Sequence, residues 1–354
     1  MSALICGIQQ IGIGVSDMTA AFAWYRKHFG MDVRVFQEAA EAPLMKAYTG
    51  QAVQARNATL AINMQGGGGM EIWQFTSRTP TGPAAPICIG DYGIFAARIK
   101  SRDVAASHRQ FVQAGLDVMS PVQPDPAGRP HFFLRDPYGN VFDIVGSDTW
   151  FTKNNRHLTG GVVGCQIGVS DIDKARTLYG DVLGYTKVVY EKEGVFDDLA
   201  AIRPEGNTRV RRVLLALEQP GRGGFGPLFG ASEIELVKVF DRFPVPVFKD
   251  RYWGDLGFIH LCFDVRNMPS LEGACNQAGF PFVVDSMNSF DMGEASGQFS
   301  YVEDPDGTLI EFVEAHKVPI MKKWNWYLDL RKRPADKPLP RWMIRAMGLN
   351  RVKD

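Results

Sequence analysis

The sequence has few of the features that would place a protein in a membrane, outside the cell or on nucleic acid. No segment approaches the roughly 18 uninterrupted apolar residues of a membrane span, and the N-terminal segment does not resemble a secretory signal. The 5 cysteines form no CxxC pair, which argues against a disulfide framework and a thiolate zinc site. With 39 basic and 39 acidic residues, the chain has no general attraction to anionic polymers. We therefore expect a cytoplasmic protein that binds neither nucleic acid nor membrane.

The composition is that of a folded protein with a sizeable core. Hydrophobic residues make up 45% of the chain and aromatic residues 11%. The charge is uneven, because residues 317–354 contain 11 Lys or Arg and 3 Asp or Glu, a difference of +8. Tryptophan and proline interleave with these charges. We expect a basic helical extension that packs on the body of the protein or on a second subunit, so a homodimer is possible.

Two internal repeats organise the rest of the chain. The segment after Ile11 and the segment after Cys165 share an alternating strand, a Ser-Asp pair, an amphipathic helix and a second strand. Aspartate at 17 and 171 suits a helix N-cap in both copies. A second repeat, FLRDPYGNVFD and YVEDPDGTLIE, contains Asp-Pro-x-Gly between apolar alternations, which predicts a β-hairpin.

With the stretches between them, these repeats divide the chain into four βαβββ modules near residues 5–78, 90–147, 162–242 and 256–315. This predicts an α+β fold in which paired modules form curved mixed sheets, and each sheet encloses a cavity on its concave face. We expect one domain over residues 1–150, built from modules 1 and 2. A second would cover 160–316, built from modules 3 and 4, with the basic tail at 317–354.

The pattern resembles the vicinal-oxygen-chelate superfamily, which includes glyoxalase I, epimerases, extradiol dioxygenases and antibiotic-resistance proteins. The resemblance covers residues 5–315 and implies a divalent metal held at four equivalent strand positions of a module pair. In the C-terminal pair these positions correspond to Glu235, His260 and Glu311. The fourth falls on Gly164, which has no ligand atom, and Gln166, two residues on and on the same strand face, could replace it.

The same correspondence gives the N-terminal pair an incomplete set. Its positions fall on Gln10, Glu71, Asp143 and Ile94, and isoleucine cannot bind a metal. The resemblance therefore implies a degenerate second site in this half, which is either empty or altered.

The C-terminal set has a chemistry that the residues themselves indicate. Glu235, His260 and Glu311 each have apolar residues on both sides in sequence, so their side chains should face away from the helix-covered core. Two carboxylates that converge in a cavity need a compensating cation. Such a set suits Fe, Mn, Zn, Ni or Mg without selecting one of them. Tyr301 and Phe299 alternate on the neighbouring strand and could line the site and bind substrate.

Three functions fit this reading. The first is enolisation chemistry on a small oxygenated substrate, by an isomerase, an epimerase or a glyoxalase-type lyase, in which Glu235 or Glu311 moves a proton. The second is an Fe(II) extradiol dioxygenase, which normally needs two histidines and one carboxylate. The third is a non-catalytic small-molecule binding protein. The intact Glu-His-Glu set favours the first.

Overall fold

A computed structural model describes residues 2–152, 156–203, 207–287, 290–291, 296–321 and 326–352. The fold is α+β, with four βαβββ modules and curved mixed sheets as predicted. The Asp-Pro-x-Gly repeats form the two predicted hairpins. Asp17 and Asp171 cap helices, because their carboxylates accept hydrogen bonds from the backbone N–H groups of the first helical turn.

The modules contain most of the regular elements. Module 1 consists of β1 (Leu4–Gly14), α1 (Met18–Phe29), β2 (Val33–Glu41), β3 (Ala55–Ile62) and β4 (Gly69–Phe75). Module 2 consists of β5 (Gly93–Ser101), α2 (Val104–Gln113), β6 (Asp117–Val118), β7 (Gln123–Pro124), β8 (Pro130–Arg135) and β9 (Val141–Gly146). Module 3 consists of β10 (Thr159–Gly168), α3 (Ile172–Arg176), β11 (Lys187–Gly194), β12 (Val210–Ala216), α4 (Gly226–Phe229) and β13 (Glu233–Val239). Module 4 consists of β14 (Gly257–Arg266), α5 (Met268–Gln277), β15 (Val284–Asp285), β16 (Phe290–Asp291), β17 (Ser296–Glu303) and β18 (Leu309–Met321).

The modules do not pair as predicted. One sheet joins modules 1 and 4 through antiparallel β1 and β14, and its central order is β17-β18-β14-β1-β4-β3-β2. The other joins modules 2 and 3 in the order β11-β12-β13-β10-β5-β9-β8. The prediction that residues 1–150 and 160–316 each close a cavity of their own is therefore wrong. We call the concave face of the first sheet the outer cup, because terminal modules form it, and that of the second the inner cup.

Linker length differs between the connections that change sheets and the one that does not. Modules 1 and 2 are separated by 17 residues between β4 and β5, and modules 3 and 4 by 17 residues between β13 and β14. Modules 2 and 3 are separated by only 12 residues between β9 and β10. The two longer linkers carry the chain from one sheet to the other, whereas the shorter one keeps consecutive modules in the same sheet.

A continuous core fills the space between the sheets. It contains Phe22 and Phe29 of α1, Phe111 of α2 and Leu271 of α5, together with apolar residues from both sheets. The helices therefore cover the convex faces, and both cups are left for polar side chains. Among the described residues, no helix is long and apolar enough to cross a membrane.

The basic tail packs on the body, but it is only partly helical. It continues β18, adds β19 (Trp326–Asp329), and forms the short helix α6 (Arg341–Ala346). The Leu339 N–H donates to the Gly224 carbonyl, and Arg351 pairs with Asp32 of module 1. The predicted docking is therefore confirmed within one chain, and the predicted helical character is corrected. A homodimer stays a prediction.

Candidate metal centre

The outer cup brings together donors from the first and the last module. Glu71 of β4, His260 of β14 and Glu311 of β18 each offer a ligand atom, and these atoms lie within 4.8 Å of one another. His260 Nε2 is 3.3 Å from Glu71 Oε2 and 3.2 Å from Glu311 Oε2. The Gln10 amide donates to Glu71 Oε2 at 3.1 Å. Four candidate ligands thus surround one point.

Several polar atoms around that point are buried without a hydrogen-bond partner among the described residues. Buried polar atoms almost always have hydrogen-bond partners. Gln10 Oε1, both ring nitrogens of His260 and Glu311 Oε2 are buried and have none among the described residues. With both carboxylates ionised, even a charged imidazole would leave one excess negative charge. The residues therefore fit a divalent metal ion, whose ligands are deprotonated oxygen and imidazole nitrogen.

The pKa values of His260, Glu311 and Glu71 shift in different directions. Burial disfavours the charged imidazole, but Glu311 and Glu71 outweigh burial and raise the pKa of His260. Burial raises the pKa of Glu311, and the Glu71 charge adds to this rise. Burial also acts on Glu71, yet contact with His260 holds its pKa below the usual value. Glu71 is therefore the carboxylate that stays ionised, and Glu311 is the one that more readily holds a proton.

The structure corrects the predicted membership of this site. His260 and Glu311 lie together as predicted, but Glu235 and Gln166 lie on the other sheet, in the inner cup. Gln10 and Glu71, which were assigned to a degenerate site, are the residues that join His260. The cause is the module pairing, because each residue lies at the expected strand position but faces a different partner. Metal binding itself stays a prediction.

Gly12 makes room for the histidine. It pairs with His260 across β1 and β14, and a Cβ atom at this position would lie 2.5 Å from His260 Cε1. A register shift in the same pairing lets Ile259 join the apolar wall of the cup, although the sequence pattern placed it in the core. The glycine therefore fixes the place of the imidazole.

We expect Gly12→Ala to weaken metal binding at least about tenfold while the protein remains folded, because the imidazole must move away from the carboxylates. Equilibrium dialysis with Zn²⁺ measures this effect. Gly273→Ala is the matched control, since a Cβ atom there meets nothing within 4 Å. Equal metal affinity in both variants would contradict the steric argument.

The predicted lining residues lie beside the donor set. Tyr301 donates a hydrogen bond to Glu311 Oε1 at 2.8 Å, and its ring centroid is 5.6 Å from that of His260. Phe299 is 6.1 Å from Tyr301, edge to face. The rest of the wall consists of apolar and aromatic residues, which include Met45, Ala58, Trp73, Trp253, Ile259, Val284 and Leu309. Substrate binding by Tyr301 and Phe299 stays a prediction.

The inner cup has carboxylates at two of the equivalent positions, Glu235 and Asp143, but no histidine at the position equivalent to His260. In the strand register Asp143 lies opposite Arg98, as Glu311 lies opposite Cys262. His260 precedes Cys262 by two residues, so the equivalent position in the inner cup is Ala96. The prediction that Ile94 occupies it was two residues out, although alanine cannot bind a metal either. Arginine at 98 therefore stands where the outer cup has a thiol.

Guanidinium groups compensate the inner carboxylates. Arg98 donates to Asp143 Oδ2 at 2.9 Å and to Glu233 Oε1 at 2.6 Å. Arg212 donates to Glu235 Oε1 at 2.6 Å and to both oxygens of Asp198. Both arginine side chains are fully buried.

Neutral donors and a histidine complete the inner network. Tyr190 and Gln166 donate hydrogen bonds to Glu235, and His131 lies 2.8 Å from Asp143. Burial opposes the charged imidazole of His131, but Asp143 raises its pKa to about 9, so it is cationic at neutral pH. Fixed cations thus occupy this cup, and we assign no metal site to it.

The sequence matches a model of a known protein family over both halves of the chain. The family model of the Glyoxalase/Bleomycin resistance protein/Dioxygenase superfamily matches residues 7–144 and 161–312. The chain belongs to this superfamily. A comparison by sequence with curated proteins gave no match.

Solved structures of the superfamily are similar in fold. Glyoxalase I from Zea mays is 13% identical, with a TM-score of 0.52, and the alignment covers 88% of this chain and 92% of that one. A proposed dioxygenase from Bacillus subtilis is 15% identical, with a TM-score of 0.51, and covers 88% and 85%. At such identities these similarities show the fold of this superfamily member and leave its reaction open.

Proposed function

We propose that this protein is a metal-dependent enzyme that catalyses enolisation of a small oxygenated substrate in its outer cup. The class comprises isomerases, epimerases and glyoxalase-type lyases. The observation that carries the proposal is the convergence of Gln10, Glu71, His260 and Glu311 with unsatisfied buried atoms in three of them. A carboxylate-rich set of this kind suits proton transfer beside a polarised oxygen.

The four side chains would hold the ion through Gln10 Oε1, His260 Nε2 and one oxygen each of Glu71 and Glu311. A divalent ion bound there would polarise a carbonyl group of the substrate and acidify the adjacent C–H bond. Mn, Fe(II), Ni, Zn and Mg all accept such ligands. The apolar wall would exclude water from the reacting carbon.

Glu311 is the proposed proton carrier. Its Oε2 has no hydrogen-bond partner among the described residues, while its Oε1 accepts a hydrogen bond from the Tyr301 hydroxyl. This carboxylate would take the proton from the carbon beside the carbonyl and return it to that carbon or to its neighbour, without net consumption of a proton. Glu71 suits the role less well, because Gln10 binds its Oε2. Glu235, our alternative base from the sequence, lies in the inner cup.

The extradiol alternative has less support. That chemistry normally uses two histidines and one carboxylate, whereas the donor set of the outer cup contains one histidine and two carboxylates. His131, at the equivalent of Phe299, is in contact with Asp143 and lies in the inner cup. A non-catalytic binding protein would need no buried set of two carboxylates and one imidazole around a common point.

Solvent exchange tests the proposed reaction. We expect the Zn²⁺- or Mn²⁺-loaded protein to incorporate deuterium from D₂O next to the carbonyl of an α-hydroxy ketone, as followed by mass spectrometry. Glu311→Gln should slow this exchange at least about 100-fold, the usual loss for a general base. Glu314→Gln serves as the control, because Glu314 is also buried on β18 but accepts a hydrogen bond from the Met268 N–H at the start of α5. Oxygen uptake with catechol, and no exchange, would overturn the proposal in favour of a dioxygenase.

A further inference from the structure

The linker between modules 3 and 4 crosses the outer cup and places one indole ring in its wall. This linker, residues 240–256, is fixed by Asp255, whose side chain accepts hydrogen bonds from the Thr81 and Tyr252 N–H groups. The backbone N–H of Trp253 donates a hydrogen bond to the backbone carbonyl of Tyr48 in module 1, at 3.0 Å. Hydrogen bonds therefore hold the backbone of Trp253 and of its neighbour Tyr252 in place.

The indole packs directly against the candidate metal ligand. The ring centroids of Trp253 and His260 are 6.2 Å apart with an interplanar angle of 20°, and Tyr301 meets the indole edge to face at 6.3 Å. Trp73 lies edge to face at 4.7 Å. Gly254 has φ +97, and a Cβ atom there would lie 2.3 Å from the Trp73 ring. This close packing leaves the indole little freedom to turn.

The indole N–H is buried without an acceptor. Trp253 is 8% exposed, and its Nε1 has no hydrogen-bond partner among the described residues. A buried indole N–H normally finds an acceptor, because an unpaired donor has lost its hydrogen bond to water without replacement. The other unsatisfied atoms of this cup belong to Gln10, His260 and Glu311, which surround the candidate metal position. Trp253 is thus an unused donor next to a site that would receive an oxygenated ligand.

The inner cup provides an internal comparison. The segment WGDLG at residues 253–257 repeats as IGDYG at 89–93, so Ile89 takes the place of Trp253. Ile89 is buried in the corresponding apolar cluster, and Asp91 anchors its linker by accepting from the Cys88 and Val245 N–H groups. The scaffold therefore accepts isoleucine at this position, and packing alone does not require an indole.

The wall around Trp253 also indicates the character of the ligand. The cluster contains aromatic and aliphatic side chains, with Phe36, Tyr48, Phe248 and Phe299 at its border. The nearby charged groups already have partners, because Arg78 pairs with Asp255 and Glu303 accepts from the Tyr48 hydroxyl. A ligand group against this wall would thus be uncharged and apolar.

We propose that Trp253 is a substrate-binding residue of the outer cup, whose indole N–H donates to an oxygen of a neutral, aryl- or alkyl-substituted α-hydroxy ketone. The inference rests on the proposed function, because the candidate metal centre would hold the ligand's oxygen pair beside the indole. It goes further in assigning a specific hydrogen-bond donor and a class of substrate. Anionic conjugates would be poor ligands of the same wall.

Calorimetric titration of the Zn²⁺-loaded protein with 2-hydroxyacetophenone tests this assignment. We expect Trp253→Phe to weaken binding about fivefold to tenfold through loss of one hydrogen bond. Trp253→Ile, which copies the inner cup, should weaken it further through loss of the aromatic face. Trp342→Phe is the matched control, since Trp342 is 61% exposed on the tail, and it should bind like the wild type.

Separate measurements distinguish the possible failures. Metal content by equilibrium dialysis should be the same in all four proteins, because Trp253 is not among the donor side chains. Equal ketone affinity in wild type and Trp253→Phe would overturn the donor role, and preference for an anionic ketone such as phenylpyruvate would overturn the substrate class. Absence of bound metal in the wild type would instead refute the proposed function itself.

Discussion

Glu71→Gln lowers the affinity of the protein for Zn²⁺ at least about 100-fold, whereas Glu235→Gln leaves it within about twofold of the wild type. Removing a metal ligand should exceed the 10–100-fold loss that follows from changing a residue that only supports a ligand. Glu235 is occupied by Arg212 and Tyr190 in the other sheet, so its removal should not reach the outer cup. Equilibrium dialysis of the two variants against the wild type gives the result.

The comparison is sharp because both glutamates occupy the same place in their modules. Each lies in the strand that ends its module, and each receives a hydrogen bond from a glutamine side chain. The alternative, in which each half of the chain forms its own site, predicts the reverse ranking. Metal loss on Glu235→Gln with retention on Glu71→Gln would therefore contradict the pairing of modules 1 and 4 around the ion.

Arg98→Met destabilises the fold by about 3–5 kcal/mol, the usual result of removing one partner from a buried ion pair. Arg98 has no exposed surface, and its loss leaves Asp143 and Glu233 with reduced compensation. Chemical denaturation followed by circular dichroism measures the free energy of unfolding. We expect the metal affinity of the outer cup to remain unchanged, since Arg98 belongs to the inner network.

The pH dependence of this effect has a defined sign. Burial acts to raise the pKa of the Asp143 carboxyl, but the His131 and Arg98 charges outweigh burial and hold this pKa far below its usual value. The stabilisation from Asp143 is therefore present above its unfolded-state pKa of about 4 and is lost as the pH falls below it. The difference between wild type and Arg98→Met should shrink in that acidic range.

Arg209→Met, which removes an exposed ion pair with Glu193, is the control and should change stability far less. A similarly small change for Arg98→Met would contradict the internal-cation account.

The sequence was sufficient to predict the modules but insufficient to predict their pairing. Strand alternation, the Asp caps and the two Asp-Pro-x-Gly hairpins are local signals, and they yielded the α+β fold and the strand position of each donor. Pairing depends on contacts between residues about 250 positions apart, such as Gly12 with His260. The 17-residue linkers were visible in the sequence, but their crossing between sheets was not.

A chemical criterion in the sequence could have corrected the site. Combining modules 1 and 4 gives Gln10, Glu71, His260 and Glu311, a set with a donor at every position. Combining modules 3 and 4 leaves Gly164 at one of them. Completeness of the donor set thus favoured the pairing that the structure has. The roles of Arg98 and Arg212 had no comparable signal, because a buried guanidinium and a solvated one are alike in sequence.

X-ray absorption spectroscopy of the Zn²⁺-loaded protein tests the central claim most directly, with His260→Ala and Glu235→Gln examined beside the wild type. We predict one ion per chain whose ligands are one imidazole nitrogen and otherwise oxygen. We also predict that His260→Ala abolishes this signal and that Glu235→Gln leaves it unchanged. Two or more imidazole ligands, a sulfur ligand, or a spectrum altered by Glu235→Gln would contradict a metal centre built by the first and last modules.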